Sequence, residues 1–182
     1  MLARQLGTGP VALTSGTWLP EARPIAGFSL TDQDGAPFDR ARLEGSPSLL
    51  FFGFTHCPDV CPTTLALLAQ LDQQPPIEGL RTILVSVDPE RDDVATMRTY
   101  VRAFSPRMIG LTGNDEEIDK LIKSLGGARF RQQIAGGGWT VDHSATLYLL
   151  DARGRLAGVF SPPLQLPALR QDLAIAASAL QR

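Results

Sequence analysis

The 182-residue sequence contains only two cysteines, and it has neither a long apolar run nor a strong excess of charge of one sign. Two cysteines exclude a disulfide-rich scaffold and a zinc site made of four thiolates. A net charge of −2 argues against a protein that binds nucleic acid by neutralising phosphates. No stretch of about 18 consecutive apolar residues is present, so no segment has the pattern of a membrane-spanning helix.

The remaining composition is that of an ordinary globular protein, with 43% hydrophobic and 20% charged residues. A chain of this length buries enough surface to form its own core, and the length favours one domain. Residues 1–23 lack the apolar segment of a signal peptide, and we interpret them as a flexible lead-in. We expect residues 24–182 to form a single domain, in a protein that is either cytoplasmic or lacks an upstream targeting segment.

Short apolar runs alternate with helical periodicity through the middle of the sequence. Continuous apolar runs of this length, bounded by Gly or Pro, are typical of buried strands. The runs span residues 48–54, 80–87 and 108–111, and the helices predicted after them span residues 63–71, 92–104 and 114–125. Such alternation predicts a parallel sheet that is covered on both faces.

Hairpin patterns stand on both sides of this alternating region. Residues 28–38 alternate around a turn signal at Asp32–Gly35, and residues 145–160 alternate around a second turn signal. Residues 129–134 are a further predicted strand, and apolar residues at helical spacing close the chain over 166–180. We therefore predict an α/β, thioredoxin-like fold: a central mixed sheet flanked by helices, with an extra N-terminal β-hairpin.

Cys57 and Cys61 are separated by three residues and lie between the first predicted buried strand and the helix that follows it. Ligands of parallel α/β sheets bind beyond the carboxyl ends of the strands, which places this segment at such an edge. The helix begins either at Pro62, with Cys61 as the N-cap, or at Pro58, with Cys61 one turn inside. In both cases the sulfurs can approach each other, and the positive end of the helix favours a thiolate at Cys61.

A purely structural disulfide is the competing interpretation of the cysteine pair. A ring of about five residues would stabilise the fold by only about 2 kcal/mol, and the chain can form a core without it. The spacing and placement therefore favour a reactive dithiol, which either closes as a redox disulfide or holds one metal ion.

His143 stands just before the predicted strand at residues 145–150, where a thioredoxin-like fold brings a loop to face the cysteines. Two thiolates and one imidazole form a soft three-ligand set that suits copper, whereas structural zinc needs a fourth protein ligand. Asp142 or His56 could supply a fourth ligand, although His56 is more simply interpreted as an exposed residue beside the motif.

Acidic residues stand next to this predicted site as well. Asp88 ends the second predicted strand, and it is either part of a turn with an ion pair or a group that orients a metal ligand from outside the ligand set. Asp142 directly precedes His143, and we assign it the same orienting role.

Four sequence blocks, in order, resemble the signature of the Sco/SenC copper chaperones. The blocks are FGFTHCPDVCP at residues 52–62, VSVDPERD at 85–92, FSP through GLTG at 104–113 and VDHS at 141–144. Together the matching blocks cover roughly residues 25 to 180, and their order and spacing are far more specific than the cysteine pair alone.

The resemblance implies a thioredoxin-like protein that binds copper, as Cu(I), Cu(II) or both, through Cys57, Cys61 and His143. It further implies a metallochaperone that helps to assemble the binuclear copper site in subunit II of cytochrome c oxidase. Other copper chaperones or thioredoxin-like reductants are implied as further partners. Family members are usually anchored by an N-terminal membrane segment, so we expect a periplasmic protein held at the inner membrane, with the anchor absent from this sequence.

Two other functions stay open at this point. Cys57 and Cys61 could be the redox pair of a thiol-disulfide oxidoreductase that reduces the cysteines of the copper target, or the protein could be a redox or copper sensor. The three-residue spacing, and a histidine where thioredoxins have a cis-proline, favour copper delivery without enzymatic turnover.

Overall fold

The computed structural model describes residues 11–181 of the chain. The helices in this part are α1 Val60–Gln73, α2 Val94–Phe104, α3 Asp115–Ser124 and α4 Leu166–Leu180, with one 3-10 turn at Arg40–Leu43. The strands are β1 Thr17–Arg23, β2 Ser29–Asp32, β3 Pro37–Asp39, β4 Ser48–Gly53, β5 Arg81–Ser86, β6 Ile109–Thr112, β7 Arg129–Gln133, β8 Trp139–His143, β9 Leu147–Leu150 and β10 Leu156–Phe160.

Eight of these strands form one mixed sheet in the order β1-β10-β9-β4-β5-β6-β2-β3. At its centre β4, β5 and β6 run parallel, and β9 and β10 continue the sheet antiparallel to their neighbours. Every residue of β4 is buried, as expected for a central strand covered on both faces. The predicted thioredoxin-like arrangement, a mixed sheet flanked by helices, is therefore confirmed.

The local predictions for the helices and the first hairpin also hold. Asp93 caps α2 by accepting a hydrogen bond from the Thr96 N–H, and Asn114 caps α3 through the Glu117 N–H. The predicted hairpin is formed by β2 and β3, which lie beside β6 at the far edge of the sheet. None of the helices within residues 11–181 is both long and apolar enough to cross a bilayer.

The N-terminal segment differs from the flexible lead-in that we expected over residues 1–23. Strand β1 extends the sheet by pairing antiparallel with β10. Just before β1, the buried Asp172 of α4 accepts hydrogen bonds from the backbone N–H groups of Thr14, Ser15 and Gly16 at 2.7–3.1 Å. These partners come from the last 30 residues of the chain, which a local pattern does not reveal. Residues 1–10 lie outside the described part of the chain.

A small second sheet stands apart from the central one. Strands β7 and β8 form an antiparallel hairpin whose turn contains Gly136, Gly137 and Gly138, all with φ near +90°. Only β7 was expected from the sequence, because β8 has no apolar run of its own. His143 therefore ends a strand of this hairpin and does not lie in a loop that enters β9.

Candidate metal centre

The two cysteines lie at the carboxyl edge of the central sheet, on either side of the start of α1. The helix begins at Val60, so Cys61 is its second residue, and neither of the two predicted starting points is correct. Cys57 lies in the loop after β4, where its N–H donates to the Phe54 carbonyl at 3.3 Å. Both cysteines are free thiols; Cys57 is half-buried, whereas Cys61 is fully buried.

The hairpin brings His143 to the same point. Its Nε2 lies 3.4 Å from the Cys61 Sγ. The ligand atoms of Cys57, Cys61 and His143 all lie within 4.8 Å of one another. Within residues 11–181 this is the one group of three or more Cys, His, Asp or Glu side chains that is compact enough to hold an ion.

The imidazole of His143 is oriented for binding through Nε2. Its Nδ1 lies 3.0 Å from the backbone carbonyl of Ser144, and because a carbonyl only accepts, Nδ1 carries the proton. The lone pair of Nε2 therefore points toward Cys61, as it does in histidines that bind metals. The rings of Phe51 and Phe54 pack edge-on against the imidazole with centroids 5.9 Å away, which restricts its rotation.

Burial keeps the His143 imidazole neutral, which is the form that binds a metal ion. Burial lowers the pKa of His143 below its usual value, and the Ser144 carbonyl and the Asp142 charge only partly oppose that effect. The imidazole is therefore neutral at pH 7, and no proton on Nε2 has to leave before a metal binds.

Burial acts in the opposite sense on the buried cysteine. It raises the pKa of the Cys61 thiol far above its usual range, and a hydrogen bond with Cys57 raises it further. Burial therefore opposes the thiolate that we expected at the N-terminus of α1, and it favours the protonated thiol of Cys61 in the metal-free protein. A metal ion that binds here must displace the thiol proton.

The acidic residues expected to orient a ligand lie outside the ligand group. Asp142 is exposed and accepts a hydrogen bond from the Gln132 side chain. Asp88 is fully buried, forms an ion pair with Arg91 and accepts from the Trp139 indole N–H at 3.2 Å. Asp88 thus connects the end of β5 to β8 and contacts the strand of His143, not the ligands themselves.

His56 also lies outside the ligand group. It is exposed, and its Nδ1 contacts the hydroxyl of Thr55 at 3.0 Å. This placement agrees with the simpler interpretation of His56 as a surface residue beside the motif.

Arg129, which the sequence did not single out, anchors the hairpin. It is paired directly across β7–β8 with His143. Its guanidinium forms ion pairs with Asp115 at 2.6 Å and Asp119 at 2.8 Å, and it donates to the Val87 carbonyl at 2.6 Å. The sequence of β7 carries no signal of such a role for Arg129, because its partners come from α3 and from the end of β5.

A pocket of about 250 Å³ opens beside the half-buried Cys57. Its lining is mainly apolar and includes two exposed acidic residues. The apolar part includes Phe54, Pro58, Val60 and Ala145, and the carboxylates belong to Asp59 and Asp142. The ligand group is therefore reached from solvent on the Cys57 side, whereas Cys61 is enclosed.

The sequence profile of the SCO1/SenC family matches residues 19–178. An SCO2-like protein of Rickettsia conorii is 32% identical over 192 residues, which cover 92% of each chain. The mitochondrial SCO2 homologue of Mus musculus is 39% identical over 137 residues, covering 70% of this chain and 52% of that protein. The chain thus spans about half the length of the mitochondrial relatives that it matches.

Solved structures give the same result. The copper-bound ScoI of Bradyrhizobium japonicum superposes with a TM-score of 0.74 at 36% identity, covering 86% of this chain and 99% of that one. The copper-bound ScoI of Arabidopsis thaliana has a TM-score of 0.76 at 32% identity, covering 82% and 94%. The profile match spans most of the sequence, and the chain belongs to the SCO1/SenC family.

Proposed function

We propose that this protein binds one copper ion as cargo through Cys57, Cys61 and His143 and delivers it to the binuclear copper site in subunit II of cytochrome c oxidase. The observation that carries the proposal is the convergence of two sulfurs and the unprotonated Nε2 within 4.8 Å. Copper in the ScoI structures of two organisms, at 32% and 36% identity, supports it.

The chemistry of this ligand set suits both oxidation states of copper to different degrees. Thiolates are soft ligands that favour Cu(I), and two of them are sufficient for it, whereas Cu(II) also needs the imidazole. The two sulfurs differ in exposure, so an acceptor thiol that enters the pocket meets the metal from the Cys57 side. A stepwise exchange of ligands can therefore start at Cys57 while the enclosed Cys61 still holds the ion.

Copper binding requires the reduced protein, because a Cys57–Cys61 disulfide has no thiolate to donate. The oxidised protein should bind copper no better than the Cys57→Ser, Cys61→Ser double variant. Tight stoichiometric binding by the oxidised form would contradict the three-ligand site.

The sharpest test compares His143→Ala with His56→Ala, since these are the two histidines of the chain. We expect His143→Ala to raise the dissociation constant for Cu(II) by more than the roughly 10–100-fold that loss of an outer partner costs. Cu(I) affinity should change less, and His56→Ala should match the wild type in both titrations. An unchanged Cu(II) absorption spectrum in His143→Ala would exclude the histidine as a ligand.

Delivery and reduction can be separated with the same variant. Disulfide exchange needs an attacking thiol and a resolving thiol, whereas copper delivery uses all three residues. Given an oxidised peptide that carries the cysteines of the target, His143→Ala should keep most of its slow reductase activity. It should lose copper transfer to the reduced peptide, and a parallel loss of both would favour a reductase in which His143 takes part.

We also propose that the domain functions in the periplasm, held at the inner membrane in the full-length protein. The mitochondrial location named for the SCO2 homologues supports a compartment outside the cytoplasm. Cell fractionation followed by protease accessibility of the intact protein tests this placement, and recovery in the cytoplasmic fraction would contradict it.

A further inference from the structure

A buried carboxylate lies beneath the loop that carries Cys57. Asp92 is fully buried, and three neutral donors surround it. Its Oδ2 accepts from the Thr55 N–H at 3.1 Å and the Ser86 hydroxyl at 2.7 Å, and its Oδ1 accepts from the Thr55 hydroxyl at 2.5 Å. No ion pair among residues 11–181 includes Asp92, and its side-chain oxygens are held by these hydrogen bonds from Thr55 and Ser86.

The backbone of Asp92 extends this network across the edge of the sheet. Its N–H donates to the Asp88 carbonyl at 3.0 Å, and its carbonyl accepts from the Thr112 hydroxyl at 2.6 Å. Thr55 follows β4, Ser86 ends β5 and Thr112 ends β6. Asp92 therefore joins the carboxyl ends of the three parallel strands at the point where the ligand site begins.

This network fixes the place from which the Cys57 loop leaves the sheet. Thr55 stands two residues before Cys57, and both its N–H and its hydroxyl are held by the same carboxylate. The residues that follow Cys57, Pro58 and Asp59, are exposed. Cys57 is therefore held by its N–H bond to the Phe54 carbonyl and by a loop that is attached to Asp92 at Thr55, whereas Cys61 lies in α1 and the core.

We propose that Asp92 is a positioning residue for Cys57: through Thr55 it sets the place of the Cys57 sulfur relative to Cys61 and His143. It contacts none of the three ligands and acts only through the loop. The consequence for copper rests on the proposed function, whereas the consequence for the Cys57–Cys61 disulfide does not.

The test without metal measures the equilibrium between the Cys57–Cys61 dithiol and its disulfide in a glutathione buffer. In this reaction one oxidised glutathione is reduced to two glutathione thiols while the Cys57–Cys61 dithiol loses two hydrogens and forms a disulfide. Asp92→Asn leaves one acceptor oxygen in place of two, so either the Thr55 N–H or the Thr55 hydroxyl loses the oxygen to which it donates. The loop then loosens, and the effective concentration of one thiol at the other falls. We expect the equilibrium constant for disulfide formation to fall by about tenfold, and the copper dissociation constant to rise by roughly 10–100-fold.

Asp72→Asn is the matched control. Asp72 is also a buried aspartate, and it accepts a hydroxyl hydrogen bond from Thr82 at 2.8 Å, at the opposite end of β5. This variant should lose comparable stability in urea unfolding but keep the wild-type glutathione equilibrium and the wild-type Cu(II)–thiolate absorption. If Asp92→Asn behaves in the same way as Asp72→Asn in both measurements, Asp92 is purely structural and the proposal is wrong.

A second pair of variants decides the question if Asp92→Asn does not fold. Thr55→Val removes the hydroxyl that reaches Asp92, whereas Thr55→Ser keeps it. We expect the valine variant to shift the glutathione equilibrium and the serine variant to restore it. Thr55 also contacts His56, so His56→Ala is measured beside them and should equal the wild type. Equal equilibria for the valine and serine variants would overturn the proposal, and they would do so whether or not the protein carries copper.

Discussion

The absence of a side chain at Gly53 makes room for the sulfur of Cys61. Gly53 ends β4, and a Cβ built there would lie 3.1 Å from the Cys61 Sγ, the Leu84 Cδ1 and the Phe51 Cε1. Comfortable contacts between carbon atoms begin at about 3.5 Å, so each neighbour would have to retreat by a few tenths of an ångström. All three neighbours are fully buried, so they cannot move into solvent.

Gly53→Ala should therefore destabilise the protein and disturb its metal site together. Overpacking of this kind costs about 1–3 kcal/mol, and the smaller entropy of the unfolded alanine chain returns about 0.4–1 kcal/mol, which leaves a net loss of about 1–2 kcal/mol. Metal–ligand distances tolerate only about 0.2 Å of change. A displaced Cys61 sulfur should thus raise the copper dissociation constant by about tenfold.

The assay combines urea unfolding of the metal-free protein with a copper titration, and Gly27→Ala serves as the control. No atom lies within 4 Å of a Cβ built at Gly27, so this variant should stay within about 0.5 kcal/mol of the wild type and bind copper unchanged. If Gly53→Ala is as stable as Gly27→Ala and keeps the wild-type copper spectrum, the packing around Cys61 can relax and the reasoning is refuted.

Two further predictions concern buried titratable groups. Burial alone would raise the pKa of Asp172, but hydrogen bonds from Thr14 and Ser15 lower it to about 2 from the ordinary 3.8. This depressed pKa contributes about 2 kcal/mol of stability above pH ~4, and the contribution is lost as the pH falls from about 4 to about 2. Urea unfolding across this pH range should show the loss. In the Asp172→Asn variant this pH-dependent part of the stability should be absent. Burial is the largest cause that raises the pKa of Tyr100 to about 12, and burial also raises the pKa of Tyr148. Absorbance titration at high pH should detect little tyrosinate near pH 10 in the folded protein. Ionisation near pH 10 without unfolding would contradict the effect of the burial of Tyr148 and the partial burial of Tyr100.

The parts of the fold that local patterns determine could be predicted from the sequence. Strands β4 and β5 are short apolar runs because both of their faces are covered. Helices α2 and α3 begin where Asp93 and Asn114 can cap them, which is a local hydrogen bond to a residue three positions along the chain. The spacing of the cysteines at the carboxyl edge of a parallel strand likewise places Cys57 and Cys61 together.

The features that were missed depend on partners far away in the chain. Strand β1 is held by β10 and by Asp172, and its own residues are mostly exposed or half-buried, so its pattern resembles a loop. The protonation of Cys61 depends on burial that β4 and the core create around it. A helix N-terminus predicts a thiolate only where the sulfur stays near water, and the sequence does not show that this sulfur is enclosed.

The third ligand shows where sequence reasoning reaches its limit. Cys57 and Cys61 belong to one β-loop-α unit, whereas His143 reaches them only because the β7–β8 hairpin is fastened to the domain at both ends. Near its base Arg129 pairs with Asp115 and Asp119 of α3, and near its turn Asp88 accepts from Trp139. The sequence motif around His143 identifies this residue as a candidate ligand. The distance of 3.4 Å between its Nε2 and the Cys61 Sγ, however, is set by these long-range contacts. The position of the imidazole is therefore set by α3, by the end of β5 and by its packing on Phe51 and Phe54, and these residues lie outside the short Cys57–Cys61 motif.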